Sequence, residues 1–140
     1  MSETSLPVRH LFRMDIEADL SNATRIRGGP AGTRMVASVD SGTVTGERIN
    51  GTILGPSGDW LYRSADGTMS LDVRISIRTD DEVDILMEYQ GKILDDGTPR
   101  SAPTFQTSME GPYAWLNKVQ AVGVGSLDDG KLAYEVYELL

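Results

Sequence analysis

Three short stretches of this chain carry residues that could do chemistry with acid/base and electrostatic tools alone. The first is Gly58-Asp59-Trp60. A carboxylate beside an aromatic in a partly dry site has its pKa raised by desolvation and can serve as general base or acid. The same Asp59 could instead cap a tight turn after Gly55-Pro56-Ser57-Gly58. The second stretch is Asp72-x-Arg74, inside "MSLDVRISIRTD". Facing a lumen, Arg74 would hold a carboxylate or enolate oxygen through forked hydrogen bonds while Asp72 orients it. Facing only each other, the two would form an internal salt bridge, and on an outer face they would simply be solvated.

The third stretch is "YAWLN", residues 113–117. Read as a strand, it places Tyr113, Trp115 and Asn117 on one face. Each polar tip then wants a partner, and a buried group left unmet costs about 1–3 kcal/mol. Plain core positions avoid that demand with Leu or Val, so the pattern favours a ligand cavity or a subunit seam over simple packing. In a cavity, Tyr113 would donate a phenolic hydrogen bond, Trp115 and Trp60 would form apolar walls, and Asn117 would offer an amide to a carbonyl.

Composition narrows the chemistry that surrounds these residues. The chain of 140 residues has no cysteine and one histidine, His10. Thiolate nucleophiles, disulfides, Cys-based metal sites and multi-histidine sites within one chain are therefore excluded. A formal charge of −8, with only 13 scattered Lys and Arg, argues against a nucleic-acid partner. No apolar run approaches the ~18 residues of a membrane-spanning helix, and "MSETSLPVRH" has no signal-like core. The expectation is a cytoplasmic protein with no cofactor: "GVGSLDDG" lacks a βαβ setting, and "DDEVD" lacks the glycine and spaced ligands of a calcium loop.

The elements that must position these residues read as strands. Fifteen glycines are spread through the chain, and apolar residues recur mostly every second position. Strand candidates are 8–20, 33–40, 43–54, 59–64, 69–79, 83–90, 104–108, 113–123 and 131–139. Turn residues separate them at Gly28-Gly29-Pro30, Ser41-Gly42, Gly55-Pro56-Ser57-Gly58, Asp66-Gly67, Asp96-Gly97 and Asp129-Gly130. The clearest strand is 69–79, with Leu71, Val73, Ile75 and Ile77 on one face. Residues 91–103 read as a loop beside the "YAWLN" strand, a solvated connector in preference to a lid. The glycine-broken "GTVTGERINGTILG" suggests strands that bend sharply, as small closed barrels require.

Taken in order, "GPAGTR" (29–34), "SGTVTGERINGTILGPSGDW" (41–60), "DGTMSLDVRISIRTDD" (66–81) and "TFQTSMEGPYAWLN" (104–117) resemble the small β-barrel proteins of the domain-of-unknown-function 3237 family. The resemblance spans about residues 10–138 and implies a small barrel. It carries onto Gly32-Thr33-Arg34, Gly42, Gly46, Gly51 and Gly55, Gly58-Asp59-Trp60, Asp66-Gly67, Asp72 with Arg74, Thr79-Asp80, and Phe105 and Thr107 with Tyr113, Trp115, Leu116 and Asn117. Three features depart from the family pattern: Ser41-Gly42 stands for a glycine pair, Glu82 for a turn glycine, and an insertion before Phe105 is absent or cut short.

The expected architecture is a single all-β domain over residues 1–140, with 1–7 as an N-terminal tail, forming an antiparallel barrel of about eight to nine strands. The expected function is a cofactor-independent acid/base enzyme, of isomerase or lyase type, for a small carbonyl-bearing hydrophobic molecule. Asp59 or Asp72 would be the base, Arg74, Tyr113 and Asn117 the oxyanion donors, Trp60 and Trp115 the walls, and Phe105 a further substrate-binding residue. The alternatives are a non-catalytic barrel that binds a small ligand, or a homodimer or higher homo-oligomer with an assembly role.

Overall fold

The strand Met69–Thr79 shows how the wall is built. Leu71, Val73, Ile75 and Ile77 are buried, whereas Asp72, Arg74 and Arg78 are exposed, so the period-two pattern separates an inner from an outer face. The same logic runs through nine strands in the computed structural model, which describes residues 2–128 and 131–140. They are β1 (Val8–Gly29), β2 (Gly32–Thr45), β3 (Asn50–Arg63), β4 (Met69–Thr79), β5 (Asp84–Ile93), β6 (Pro99–Ser101), β7 (Thr104–Gln106), β8 (Ala121–Asp128) and β9 (Lys131–Leu139). The Asp129-Gly130 turn lies outside the described residues.

The antiparallel ladder runs from β1 through β2, β3, β4, β5, β6 and β8 to β9, and β9 pairs back with β1. Eight strands thus close into a barrel, and closure leaves the wall without the unpaired edges of an open sheet. The ninth strand, β7, lies against Leu86–Glu88 of β5, while β6 pairs with Gly91–Ile93 of the same strand.

Two expected turns are bends inside long strands. Ser41-Gly42 lies within β2 and Gly55-Pro56-Ser57-Gly58 within β3, where the β2–β3 ladder shifts register between Ser38 and Thr43 and the β3–β4 ladder between Leu54 and Gly58. Such bulges bend a strand without ending it, which is how long strands wrap a small barrel. Glycine is required at Gly42 because a Cβ there would stand 2.3 Å from the carbonyl oxygen of Asp15. The Asp66-Gly67 and Asp96-Gly97 turns are present, with Gly67 and Gly97 at φ 86° and 85°. The expected connector over 91–103 is also replaced: β5 runs on to Ile93, and β6 follows the turn.

The largest correction concerns "YAWLN". It is not a strand but a turn of 3₁₀ helix, Ala114–Lys118, with β8 beginning only at Ala121. Successive i→i+3 bonds, Leu116 N–H to Tyr113 and Val119 N–H to Leu116, coil the segment. Asn117 locks it in place by accepting from the Thr107 N–H at 2.8 Å and donating to the Thr107 carbonyl at 3.0 Å. Leu116 is thereby driven into the barrel end, where only 1% of it is exposed. The segment is a plug, and the end it closes is packed solid by Phe12, Met14, Ile49, Ile75, Ile77 and Met87. Among the described residues, no helix is long and apolar enough to cross a membrane.

Candidate active site

The other half of the barrel is hollow. A cavity of about 170 Å³ lies between Ile16 and Ala18 of β1, Ala37 of β2, Asp59 and Leu61 of β3, Leu71 and Val73 of β4, Tyr89 of β5 and Tyr134 of β9. Apart from Asp59, Tyr89 and Tyr134, every lining side chain is apolar or a glycine. Half-exposed Leu20 and Leu127 also border it. Those two leucines sit where β1 leaves β9, whose pairing with β1 ends at Ile16–Leu132, so the opening follows from strand length.

Strand register puts Asp59 inside. On β3 it stands between Ala37 of β2 and Val73 of β4, both inward and buried, so its own side chain takes the inner face. Its Oδ1 accepts the Asp72 N–H at 3.2 Å. Burial pushes its pKa from the ordinary carboxylate range up to about 6; the Asp72 N–H opposes the rise and the Asp72 charge adds to it. At neutral pH the carboxylate is therefore mostly ionised yet basic enough to take a proton.

The two phenols stack edge to face, with ring centroids 5.5 Å apart. Burial pushes the Tyr89 hydroxyl well up, and the fields of Tyr134 and Asp59 push it further. Burial likewise raises Tyr134, while the neighbouring Tyr89 hydroxyl holds it back in part. Both phenols therefore stay protonated at neutral pH, each with an O–H to donate. Glycine makes room for this ring: Gly125 of β8 pairs directly with Tyr134, and a Cβ there would meet Pro99 at 2.4 Å and the Tyr134 ring at 3.0 Å.

Of the candidate catalytic and substrate-binding residues in the sequence, Asp59 alone borders this cavity. Asp72 and Arg74 lie on the outer wall of β4, where Arg74 stands 3.9 Å from Glu88 and is 68% exposed. The lumen-facing Asp72–Arg74 pair is corrected by register: Val73 points inward, so its neighbours cannot. Trp60 points outward from β3 for the same reason and is 42% exposed. Phe105 is buried at the plugged end, edge-on to Phe12. Tyr113 donates to Asp81 at 2.7 Å, and the Arg48 guanidinium sits 4.2 Å from the Trp115 ring centre. Tyr113, Trp115 and Asn117 therefore hold the plug. His10 lies on the outer wall, with Nε2 2.8 Å from Glu135.

Tyr89 and Tyr134 escaped the sequence reading. Each occupies the inner face of a well-patterned strand, in Ile85-x-Met87-x-Tyr89 and Leu132-x-Tyr134-x-Val136. The signal that could have found them is a polar-tipped aromatic at an inward position, the very criterion applied to "YAWLN". Among the described residues, no group of three His, Asp or Glu is arranged to hold a metal ion.

A family profile described as "Protein of unknown function (DUF3237)" matches residues 6–139. The chain belongs to this family. Its solved relatives share the barrel. A beta-barrel like protein from Acinetobacter baumannii AYE is 23% identical, with a TM-score of 0.83 and 99% of each chain covered. A protein of unknown function from Clostridium acetobutylicum ATCC 824 is 25% identical, with a TM-score of 0.84, 96% of this chain and 100% of that one covered. A Penicillium herquei protein described as an enzyme is 26% identical, with a TM-score of 0.79, 100% of this chain and 98% of that one covered. No curated protein is significantly similar to the chain. The DUF3237 match extends over both ends of the site, from β1 to β9.

Proposed function

We propose that this DUF3237 protein is a cofactor-independent acid/base enzyme, of isomerase or lyase type, acting on a small carbonyl-bearing hydrophobic molecule in the barrel cavity. One observation carries the reading: a single carboxylate of raised pKa shares an otherwise apolar cavity with two protonated phenols. A base works best with its pKa near the operating pH, and a preorganised O–H aimed at developing negative charge supplies the complementary half. That the Penicillium herquei relative is described as an enzyme supports catalysis over storage.

In this mechanism Asp59 takes a proton from the carbon next to the carbonyl and becomes a carboxylic acid. The electron pair moves onto the carbonyl oxygen, which accepts the Tyr134 O–H, with the Tyr89 ring packed edge-on against Tyr134. Where a C=C bond adjoins the enolate, return of the Asp59 proton to its far carbon gives isomerisation; where the next carbon bears a leaving group, the carbonyl re-forms, a C=C bond forms and the group departs with its bonding pair and the Asp59 proton, which is a lyase reaction. Asp72 contributes through its backbone N–H and its charge, both of which set the basicity of Asp59. The test is to incubate the protein with small hydrophobic ketones in deuterated buffer and follow exchange next to the carbonyl by NMR. Protein-dependent exchange that vanishes in Asp59→Asn is expected; exchange that persists in that variant contradicts the assignment. Ligand retention without exchange across the set would favour a carrier.

A further inference from the structure

We infer that the cavity selects uncharged single-ring ketones and rejects the isosteric carboxylates, with Asp59 as the residue that discriminates. This rests on the acid/base reading of the same cavity and names its substrate class. Three features of the lining lead to it.

The first is charge. Among the described residues, the lining contains Asp59 but no Lys, Arg or His. Arg74, the cation nearest in sequence to the wall behind Asp59, points outward toward Glu88. A carboxylate ligand would add a second negative charge next to Asp59 with no counter-charge available. Two like charges held in an apolar enclosure cannot both stay ionised without cost.

The second is size. A volume of about 170 Å³ suits one six-membered ring with a short substituent; an apolar engineered cavity of ~150 Å³ is known to hold benzene. Longer tails would leave past Leu20 and Leu127. The third is hydrogen-bond matching. Tyr89 and Tyr134 border the cavity side by side, their ring centroids 5.5 Å apart, and a carbonyl oxygen accepts a phenolic proton while bringing no donor of its own.

The test uses two probes of one skeleton, acetophenone and benzoate, titrated into the protein and followed by backbone NMR shifts around the cavity. At pH 7.5, acetophenone should bind roughly tenfold or more tighter than benzoate. Asp59→Asn should bring benzoate to within about threefold of acetophenone. The wild-type protein at pH 5, where benzoate is still ionised and Asp59 is largely protonated, should narrow the gap in the same direction without any substitution. Absence of acetophenone binding overturns the inference, as does benzoate binding as tightly as acetophenone. So does a preference that neither Asp59→Asn nor low pH narrows. These are equilibrium measurements, so their failure leaves the exchange test of catalysis standing, and failure of the exchange test leaves the selectivity measurable.

Discussion

An ionised carboxylate in an apolar cavity should weaken the fold that contains it, and Asp59 makes the effect measurable. Its pKa is raised to about 6 in the folded chain, against an ordinary value of 3.8. The folded state therefore holds the Asp59 proton more tightly than the unfolded chain does. The resulting stabilisation is complete below about pH 4 and is lost as pH rises through about 6. A difference of 2.2 pKa units, 6 less 3.8, corresponds to about 3 kcal/mol as a ceiling, reduced in proportion to the water that reaches this half-buried side chain. Asp59→Asn keeps the acceptor for the Asp72 N–H and removes the charge. At pH 7.5 the variant should therefore melt higher than wild type by up to roughly 10 °C, taking a few degrees per kcal/mol for a chain of this size. The gap should close as the pH falls to 4.5. Thermal unfolding followed by circular dichroism across pH 4.5–8 measures this directly. A variant that is less stable than wild type at pH 7.5, or a gap that does not change with pH, would refute the burial argument. Stability gained together with activity lost is the pattern expected where a site is kept functional at the expense of the fold.

Other expectations separate the cavity from its surroundings. Tyr134→Phe should lower turnover by roughly 10²–10³-fold with the fold intact, because one donor to the developing charge is lost; steady-state kinetics on any ketone that exchanges would show it. Arg74→Met should leave turnover unchanged and stability within about 0.5 kcal/mol, since its exposed contact with Glu88 is 3.9 Å long. Leu116→Ala should cost about 2–5 kcal/mol in urea unfolding by emptying the plug, while acetophenone still binds at the opposite end. Gly125→Ala should displace the Tyr134 ring or Pro99 and weaken acetophenone binding, visible as altered ring shifts of Tyr134.

Much of the wall is legible in the sequence because period-two alternation is a local signal. β4 can be read residue by residue, and the Asp66-Gly67 and Asp96-Gly97 turns announce themselves by their chemistry. The long strands are less legible, because a glycine within a bulge and a glycine within a turn look alike until the ladder partners are known. β2 and β3 pass through Gly42 and Gly55-Pro56 for that reason. The site divides in the same way. Asp59 stands out as a carboxylate beside an aromatic. Tyr89 and Tyr134, 45 residues apart (134 − 89), meet only because β5 and β9 face one another across the lumen. "YAWLN" has the alternation of a strand, yet Gly111-Pro112 and the Asn117 grip on Thr107 coil it into the plug. The Tyr113 and Asn117 tips find partners in Asp81 and Thr107, and the Arg48 guanidinium covers the Trp115 ring, which accounts for a face that otherwise suggests a ligand.

The most direct measurement is the titration of the Asp59 side-chain carboxyl carbon by NMR in the free protein, repeated with acetophenone bound. A midpoint near 6 that moves on binding is predicted by a carboxylate held inside the ligand cavity. A midpoint near that of an ordinary aspartate, indifferent to the ligand, would contradict it.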